Sequence, residues 1–191
     1  MIRAQVDLPE SLPPLRVSQW FNTPEPIELS ALVGRVVIIH AFQMLCPGCV
    51  LHGLPQVQTL RRTFAEDQVA VIGLHTVFEH HAVMGADALQ AFIHEYRLRF
   101  PIGVDEADPT DTLPRTMAAW GLQGTPSLVV LDSQGRPRLK HFGQLDDMTL
   151  GAIVGQLLGE TDAARVDSAG QADAPGTCAD GRCEPGGQAA R

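Results

Sequence analysis

The chain has 191 residues with 45% hydrophobic content, which is long enough for one α/β domain with a full core. Its formal net charge of −8 argues against a phosphate-binding surface of the kind that holds nucleic acid, because such surfaces need clustered lysines and arginines. No stretch approaches the roughly 20 apolar residues that span a bilayer. Within residues 1–10, every short apolar run is interrupted by a charged residue or a proline, so this segment does not resemble a signal peptide. As written, the sequence predicts a cytoplasmic protein with no nucleic-acid or membrane partner.

The order of the predicted elements is that of an α/β fold. Residues 15–32 carry β-type residues around a proline-rich turn and predict an N-terminal β-hairpin. The β-branched run Val36–Phe42 predicts a central strand that is buried on both faces of a sheet. Further strands are predicted at Val69–His75, 100–104, Ser127–Leu131 and 138–142, and helices after residue 49 and at 86–98, 115–120 and 148–158. This alternation implies parallel crossovers, and we expect a mixed sheet flanked by helices.

The C-terminal segment differs in composition from the rest of the chain. Residues 160–191 contain one large aliphatic residue, Val166, so they cannot bury enough apolar surface to offset the entropy of ordering them. We therefore expect a domain at residues 1–159 and a flexible tail at 160–191. The tail carries a second cysteine pair, Cys178 and Cys183. Three roles stay open for that pair: a relay that exchanges disulfides with the first pair, a clamp for a soft metal, or no role at all.

The first cysteine pair, Cys46 and Cys49, encloses Pro47 and Gly48 and directly follows the predicted central strand. This spacing at a strand-to-helix junction places the first thiol at a helix N-terminus, where backbone N–H groups and the helix dipole favour a thiolate. Cys46 is then the nucleophile, and Cys49, one turn later, resolves the mixed disulfide. Pro47 suits the first helical turn, where its missing N–H has no intrahelical partner. A half zinc site is the alternative, but the βαβ context favours redox chemistry.

At these residues the chain resembles the thioredoxin superfamily, and within it the redoxin branch of TlpA- and ResA-like thiol reductases related to AhpC/TSA proteins. The resemblance covers roughly residues 15–158. It rests on the strand that leads into the dithiol and on Gly124-Thr125-Pro126 before a later strand. It implies a thioredoxin-like fold in which the Thr125–Pro126 bond is cis and lies against the dithiol. It also implies that the backbone of Thr125 pairs with a bound peptide.

Two positions depart from that family pattern. Family members usually have Trp immediately before the first cysteine, whereas this chain has Leu45. His40 lies six residues before Cys46, where such sequences commonly carry Asp or Asn beneath the resolving thiol. An imidazole there is able to accept the Cys49 proton, or it is a core histidine with a structural role, and both hypotheses stay open.

The sequence supports two other chemistries less well. A thiol peroxidase of the peroxiredoxin type needs Thr or Ser three residues before its cysteine and Pro seven before it, but this chain has Gln43 and Ile39. His75, Glu79 and His81 follow a predicted strand and are weak candidates for a metal site, because three or four ligands must converge and the sequence does not show that they do. Solvated loop histidines are the better interpretation.

We therefore predict a thiol–disulfide oxidoreductase that needs no cofactor. Its partners are expected to be a disulfide-containing protein or small thiol substrate and an external thiol reductant. Since the redox potential of the cytoplasm keeps most thiols reduced, we favour the direction in which the protein reduces its substrate. The alternative is a non-catalytic metal-handling or scaffold protein that uses its cysteine pairs and the loop from His75 to His81 as ligands.

Overall fold

Within residues 8–172, which the computed structural model describes, six strands form one sheet in the order β1-β4-β3-β2-β5-β6. The strands are β1 (Val17–Phe21), β2 (Val36–Phe42), β3 (Val69–His75), β4 (Ile102–Asp105), β5 (Ser127–Leu131) and β6 (Pro137–Phe142). The helices are α1 (Leu54–Thr63), α2 (Ala86–Glu95), α3 (Arg115–Ala119) and α4 (Asp147–Ala172). β2, β3 and β4 are parallel, and the other neighbours are antiparallel. The predicted α/β fold with a mixed sheet is confirmed.

β2 lies at the centre of the sheet, and all of its residues are buried. It pairs in parallel with β3 and antiparallel with β5, so both of its edges are hydrogen-bonded. Its side chains alternate between two cores because successive residues of a strand point to opposite faces. Ile38 and Phe42 pack into the core that is covered by α1, α2 and α4. Val37 and Ile39 pack into the core covered by α3 and the N-terminal segment.

The predicted N-terminal hairpin is wrong. β1 pairs antiparallel with β4, and the expected second strand is instead a short 3₁₀ turn at Leu29–Leu32. Asn22 turns the chain away from β1 with φ +58°, and its side-chain amide donates to the carbonyl oxygens of Leu98 and Phe100 at 2.9 and 3.0 Å. One edge of β4 pairs with β3. The other edge would be open without β1, which pairs with it.

The last helix is longer than predicted. It continues through Gly159 to Ala172, so residues 160–172 of the expected tail are helical. Thr161 is buried and its hydroxyl donates to the Leu157 carbonyl at 2.9 Å, while Arg138 on β6 bonds to Glu160 at 2.6 Å. These contacts offset the cost of about 1 kcal/mol for a glycine inside a helix. Despite this length, none of the described helices combines the extent and apolarity that a membrane span requires. Cys178 and Cys183 lie outside the described residues.

Helix α2 ends at Glu95, three residues before the predicted end at residue 98. Arg97 takes a left-handed conformation with φ +51°. Its N–H donates to the His94 carbonyl at 3.1 Å, and the N–H of Leu98 donates to the Ile93 carbonyl at 3.0 Å. This is the Schellman pattern of helix termination, in which glycine is the preferred residue at the left-handed position.

Asp105, the last residue of β4, connects the sheet to α3. Its buried carboxylate accepts hydrogen bonds from the backbone N–H groups of Thr116 and Met117 at 2.8 and 2.9 Å, and from the Thr76 hydroxyl at 3.0 Å. Burial raises the pKa of Asp105, and these hydrogen bonds oppose that rise. The carboxylate therefore satisfies N–H groups at the start of α3 that have no partner inside the helix.

Replacing Asp105 with alanine leaves those buried donors without an acceptor. We expect Asp105→Ala to lower the free energy of unfolding by about 3 kcal/mol, and Asp105→Asn to lower it less because one acceptor oxygen remains. Urea unfolding followed by circular dichroism measures both values. Asp67→Ala, at an exposed carboxylate, is the matched control and should stay within about 0.5 kcal/mol of the parent. An equally small effect of Asp105→Ala would contradict this account of α3.

Candidate functional site: a dithiol at the carboxyl end of the central strand

The dithiol lies just beyond the end of β2. Cys46 and Cys49 are joined as a disulfide, with their Cα atoms 5.2 Å apart. Cys46 is half-buried, whereas Cys49 is fully buried in the core beneath α1. Of the two cysteines, only Cys46 is therefore accessible to an incoming substrate.

The backbone around Cys46 suits a thiolate. The N–H of Cys49 donates to Cys46 Sγ at 3.2 Å, and the residues from Cys49 to Gly53 form one π-helical turn that continues into α1. Backbone N–H groups at a helix start stabilise a negative charge, so the reduced Cys46 is expected to ionise readily. Pro55 is the second residue of α1, directly after the change from π to α geometry.

The loop before β5 lies against the dithiol. The Thr125–Pro126 peptide bond is cis, and a Cβ atom added to Gly48 would lie 3.2 Å from Pro126 Cδ. The carbonyl oxygen of Thr125 is 3.4 Å from Cys46 Sγ. Gln43 connects the two loops, because its side-chain amide donates to the Thr125 hydroxyl at 3.4 Å. The structure thus brings the dithiol and the Thr125–Pro126 loop together, as the resemblance to the thioredoxin superfamily implies.

His40 is buried in the same region. Its ring stacks on Phe42 with a centroid distance of 5.9 Å, and its Nε2 atom has no hydrogen-bond partner among the described residues. Burial lowers the pKa of His40 to about 4, and a hydrogen bond with the Ser127 backbone opposes this in part. A Cβ atom on Gly53 would lie 2.6 Å from Nε2, so the ring packs directly on the π-helical turn.

A groove of about 280 Å³ opens beside the dithiol loop, with His40 in its lining. The opposite walls come from α1 and from the segment between β6 and α4. Gly53 and Pro126 also line this groove. The sequence did not single out Gly53 or Gln43 as site residues, because a glycine in a helix and a glutamine in a loop carry no motif. Their contribution follows from close approach in three dimensions.

The histidine loop does not assemble a metal site. His75 is 1% exposed and packs against Phe42 at 5.3 Å, while Glu79 and His81 are exposed. Neither ring nitrogen of His75 has a partner within the described part of the chain, and burial lowers its pKa to about 4. Across residues 8–163, no three His, Cys, Asp or Glu side chains are grouped so as to hold a metal ion.

The two buried histidines make the stability of the protein depend on pH. In the unfolded chain both imidazoles titrate near pH 6.5, but in the folded protein they stay neutral down to about pH 4. The unfolded state therefore binds more protons between these values, so the free energy of unfolding falls as pH decreases from 6.5 to 4. Each histidine contributes about 3 kcal/mol at most.

We expect His75→Leu to remove about half of this fall in stability. Urea unfolding at a series of pH values between 7 and about 4 measures it, with His94→Gln, at an exposed histidine, as the control that keeps the parent slope. An unchanged slope in His75→Leu would show that His75 protonates freely in the folded state.

Comparisons with known proteins agree with this geometry. The sequence model of the AhpC/TSA family matches residues 13–138. A crystal structure of a thioredoxin-like superfamily protein is 51% identical, with a TM-score of 0.77 over 79% of this chain and 97% of that chain. A thiol-disulfide isomerase from Corynebacterium glutamicum is 48% identical, with a TM-score of 0.75 over 78% of this chain and 96% of that one.

One group of curated relatives is much longer. Protein DipZ of Mycobacterium tuberculosis is 30% identical over 161 residues, which are 82% of this chain and 22% of that protein. The chain spans between 16% and 22% of the length of the curated relatives it matches.

The region that matches the family model contains the central strand, the dithiol and the Thr125–Pro126 loop. With a mixed sheet and close thioredoxin-like structural neighbours, the chain belongs to the AhpC/TSA family and has a thioredoxin-like fold.

Proposed function

We propose that this protein is a thiol–disulfide oxidoreductase in which Cys46 attacks and Cys49 resolves. The observation that carries the proposal is the difference between the two sulfurs. Cys46 is reachable from solvent and accepts a helix-start N–H, whereas Cys49 is fully buried behind it. A substrate sulfur therefore meets Cys46 first.

The proposed disulfide exchange takes place in two steps. The Cys46 thiolate attacks one sulfur of a substrate disulfide, which forms a mixed disulfide and releases the other substrate sulfur as a thiolate. Cys49 then loses its proton and attacks Cys46 Sγ, which forms the enzyme disulfide and releases the second substrate thiolate. The substrate is reduced by two electrons, and an external thiol reductant returns the enzyme to the dithiol.

The surface around the dithiol favours a protein substrate. Leu45 and Leu51 flank the active loop and are 57% and 68% exposed, so an apolar segment is able to pack beside Cys46. We propose that the protein acts in the cytoplasm as a reductant of its substrate, because the glutathione redox potential there opposes stable disulfides. The external electron donor is then a second thiol–disulfide couple whose reduction potential is lower than that of the Cys46–Cys49 couple.

Substitution of each cysteine separates the two roles. In Cys46→Ser we expect the rate of insulin reduction with dithiothreitol to fall by about 100-fold or more, because the attacking sulfur is gone. Cys49→Ser keeps the nucleophile but cannot resolve, so it should accumulate a mixed disulfide with substrate that intact-protein mass spectrometry detects. Activity in Cys46→Ser, or an adduct on Cys49 in Cys46→Ser, would reverse the assigned roles.

We also propose that His40 receives the Cys49 proton during resolution, because its ring packs on Gly53, the last residue of the π-helical turn that begins at Cys49. The unpartnered Nε2 atom is free to accept a proton, since a neutral imidazole has one acceptor nitrogen. Its pKa of about 4 means that it holds the proton only briefly and passes it to solvent in the groove.

A rapid-mixing measurement tests this role. In His40→Leu we expect attack by Cys46 at the parent rate and resolution by Cys49 slowed by about ten-fold or more, with the pH profile of resolution moved toward higher pH. His52→Ala, at an exposed histidine in the same groove, is the matched control and should resolve normally. Equal slowing of attack and resolution in His40→Leu would indicate a structural role only.

A further inference from the structure

The end of the molecule opposite the dithiol carries an unusual concentration of positive charge. Two adjoining cavities of about 420 and 460 Å³ share Arg61 and Arg99 in their lining. We call the arginines that line them the arginine cluster: Arg35, Arg61, Arg62, Arg97 and Arg99. The cluster contains five of the fourteen basic residues of a chain whose net charge is −8.

Two elements place these side chains. Arg61 and Arg62 lie in the last turn of α1, whose ten residues extend about 15 Å away from the π-helical turn that follows the dithiol. Arg97 and Arg99 lie in the connection between α2 and β4. The cluster is therefore remote from Cys46 and has no part in the chemical step.

Few carboxylates neutralise the cluster. Glu66 is the one acidic residue in the lining of the two cavities; it forms an ion pair with Arg61, and its carbonyl oxygen accepts from Arg35 at 3.4 Å. Within the part of the chain that the structure describes, Arg97 and Arg99 form no ion pair, and the Arg62 guanidinium donates a hydrogen bond to the Thr59 hydroxyl at 3.2 Å. Neighbouring guanidinium groups without counter-ions repel one another, and an added anion would relieve that repulsion.

Arg97 gives an independent indication. It occupies the left-handed position that ends α2, with φ +51°, where glycine is preferred. A residue with a side chain in this conformation costs roughly 1 kcal/mol relative to glycine. Position 97 is thus not optimised for stability, and its arginine side chain projects from the backbone into the lining of the 420 Å³ cavity.

We infer that the arginine cluster is a binding site for a soluble ligand that carries two or more phosphate groups. Guanidinium groups bind phosphate oxygens in bidentate fashion, and four arginines around one cavity provide more donors than a single phosphate accepts. The concave shape favours a small molecule over a flat membrane surface. Phosphate groups of lipids share this chemistry, so the experiment must separate the two sources.

The test uses the full-length protein and sodium tripolyphosphate in isothermal titration calorimetry at constant ionic strength. We expect saturable binding, and we expect Arg97→Gly to weaken it by about ten-fold, which corresponds to one lost charge-assisted contact. The same substitution should raise the melting temperature of the ligand-free protein because glycine suits the left-handed position. Insulin reduction by this variant should be unchanged.

Two further variants complete the test. Position 99 is not in the left-handed conformation, so Arg99→Gln removes a charge without changing backbone strain. It should weaken binding to a similar extent. Arg16→Gln removes one charge outside the cluster and should leave the dissociation constant within about two-fold of the parent. Tight binding retained by both Arg97→Gly and Arg99→Gln would overturn the proposal.

Two competing ligands give distinct results. Co-sedimentation with phosphatidylglycerol vesicles, without calorimetric binding of tripolyphosphate, would replace the soluble ligand with a membrane surface. Equal affinity for polyglutamate would show a general acidic-protein contact rather than a phosphate site. Either result would contradict the inference, whereas selective binding of tripolyphosphate supports it.

Discussion

The antiparallel pairing of β2 with β5 is the constraint on which the active centre depends. Ala41 is opposite Ser127 in this ladder. The chain leaves β2 one residue later and reaches Cys46, and it enters β5 immediately after Pro126. Two segments about eighty residues apart in the sequence are thereby held in contact. A shift of one residue in this register would turn every β2 side chain to the other face and would move His40 away from α1.

Burial of β2 also determines the chemistry around the dithiol. The core beneath α1 receives Cys49, and on the same face of the sheet two imidazoles lie on either side of Phe42. Buried polar groups without partners cost about 1 to 3 kcal/mol each, so an all-apolar core would be more stable. Local departures from the rules of stable packing are expected at functional sites. His40, which borders the groove beside the dithiol, fits that expectation better than His75 does.

Charge is distributed unevenly along the molecule. The net charge of −8 led to the expectation of no phosphate-binding surface, yet five arginines gather where α1 ends. A sum over the chain cannot reveal such a cluster, because its members come from three separate segments that only the fold brings together. Helix α1 joins the two regions, with the dithiol before its first turn and Arg61 and Arg62 in its last.

The sequence by itself determined the parts of this protein that rest on local pattern. A run of β-branched residues defined β2, the spacing of Cys46 and Cys49 after it defined the dithiol, and helical periodicity located the helices. Interactions between distant residues were decided by the tertiary structure. β1 joined β4 rather than forming a hairpin because the edge of β4 needed a partner, and α4 passed Gly159 because Arg138 and Thr161 hold the next turn. The unpartnered nitrogen of His40, the close approach of Gly53 and the arginine cluster likewise depend on which surfaces meet, and no local pattern encodes that.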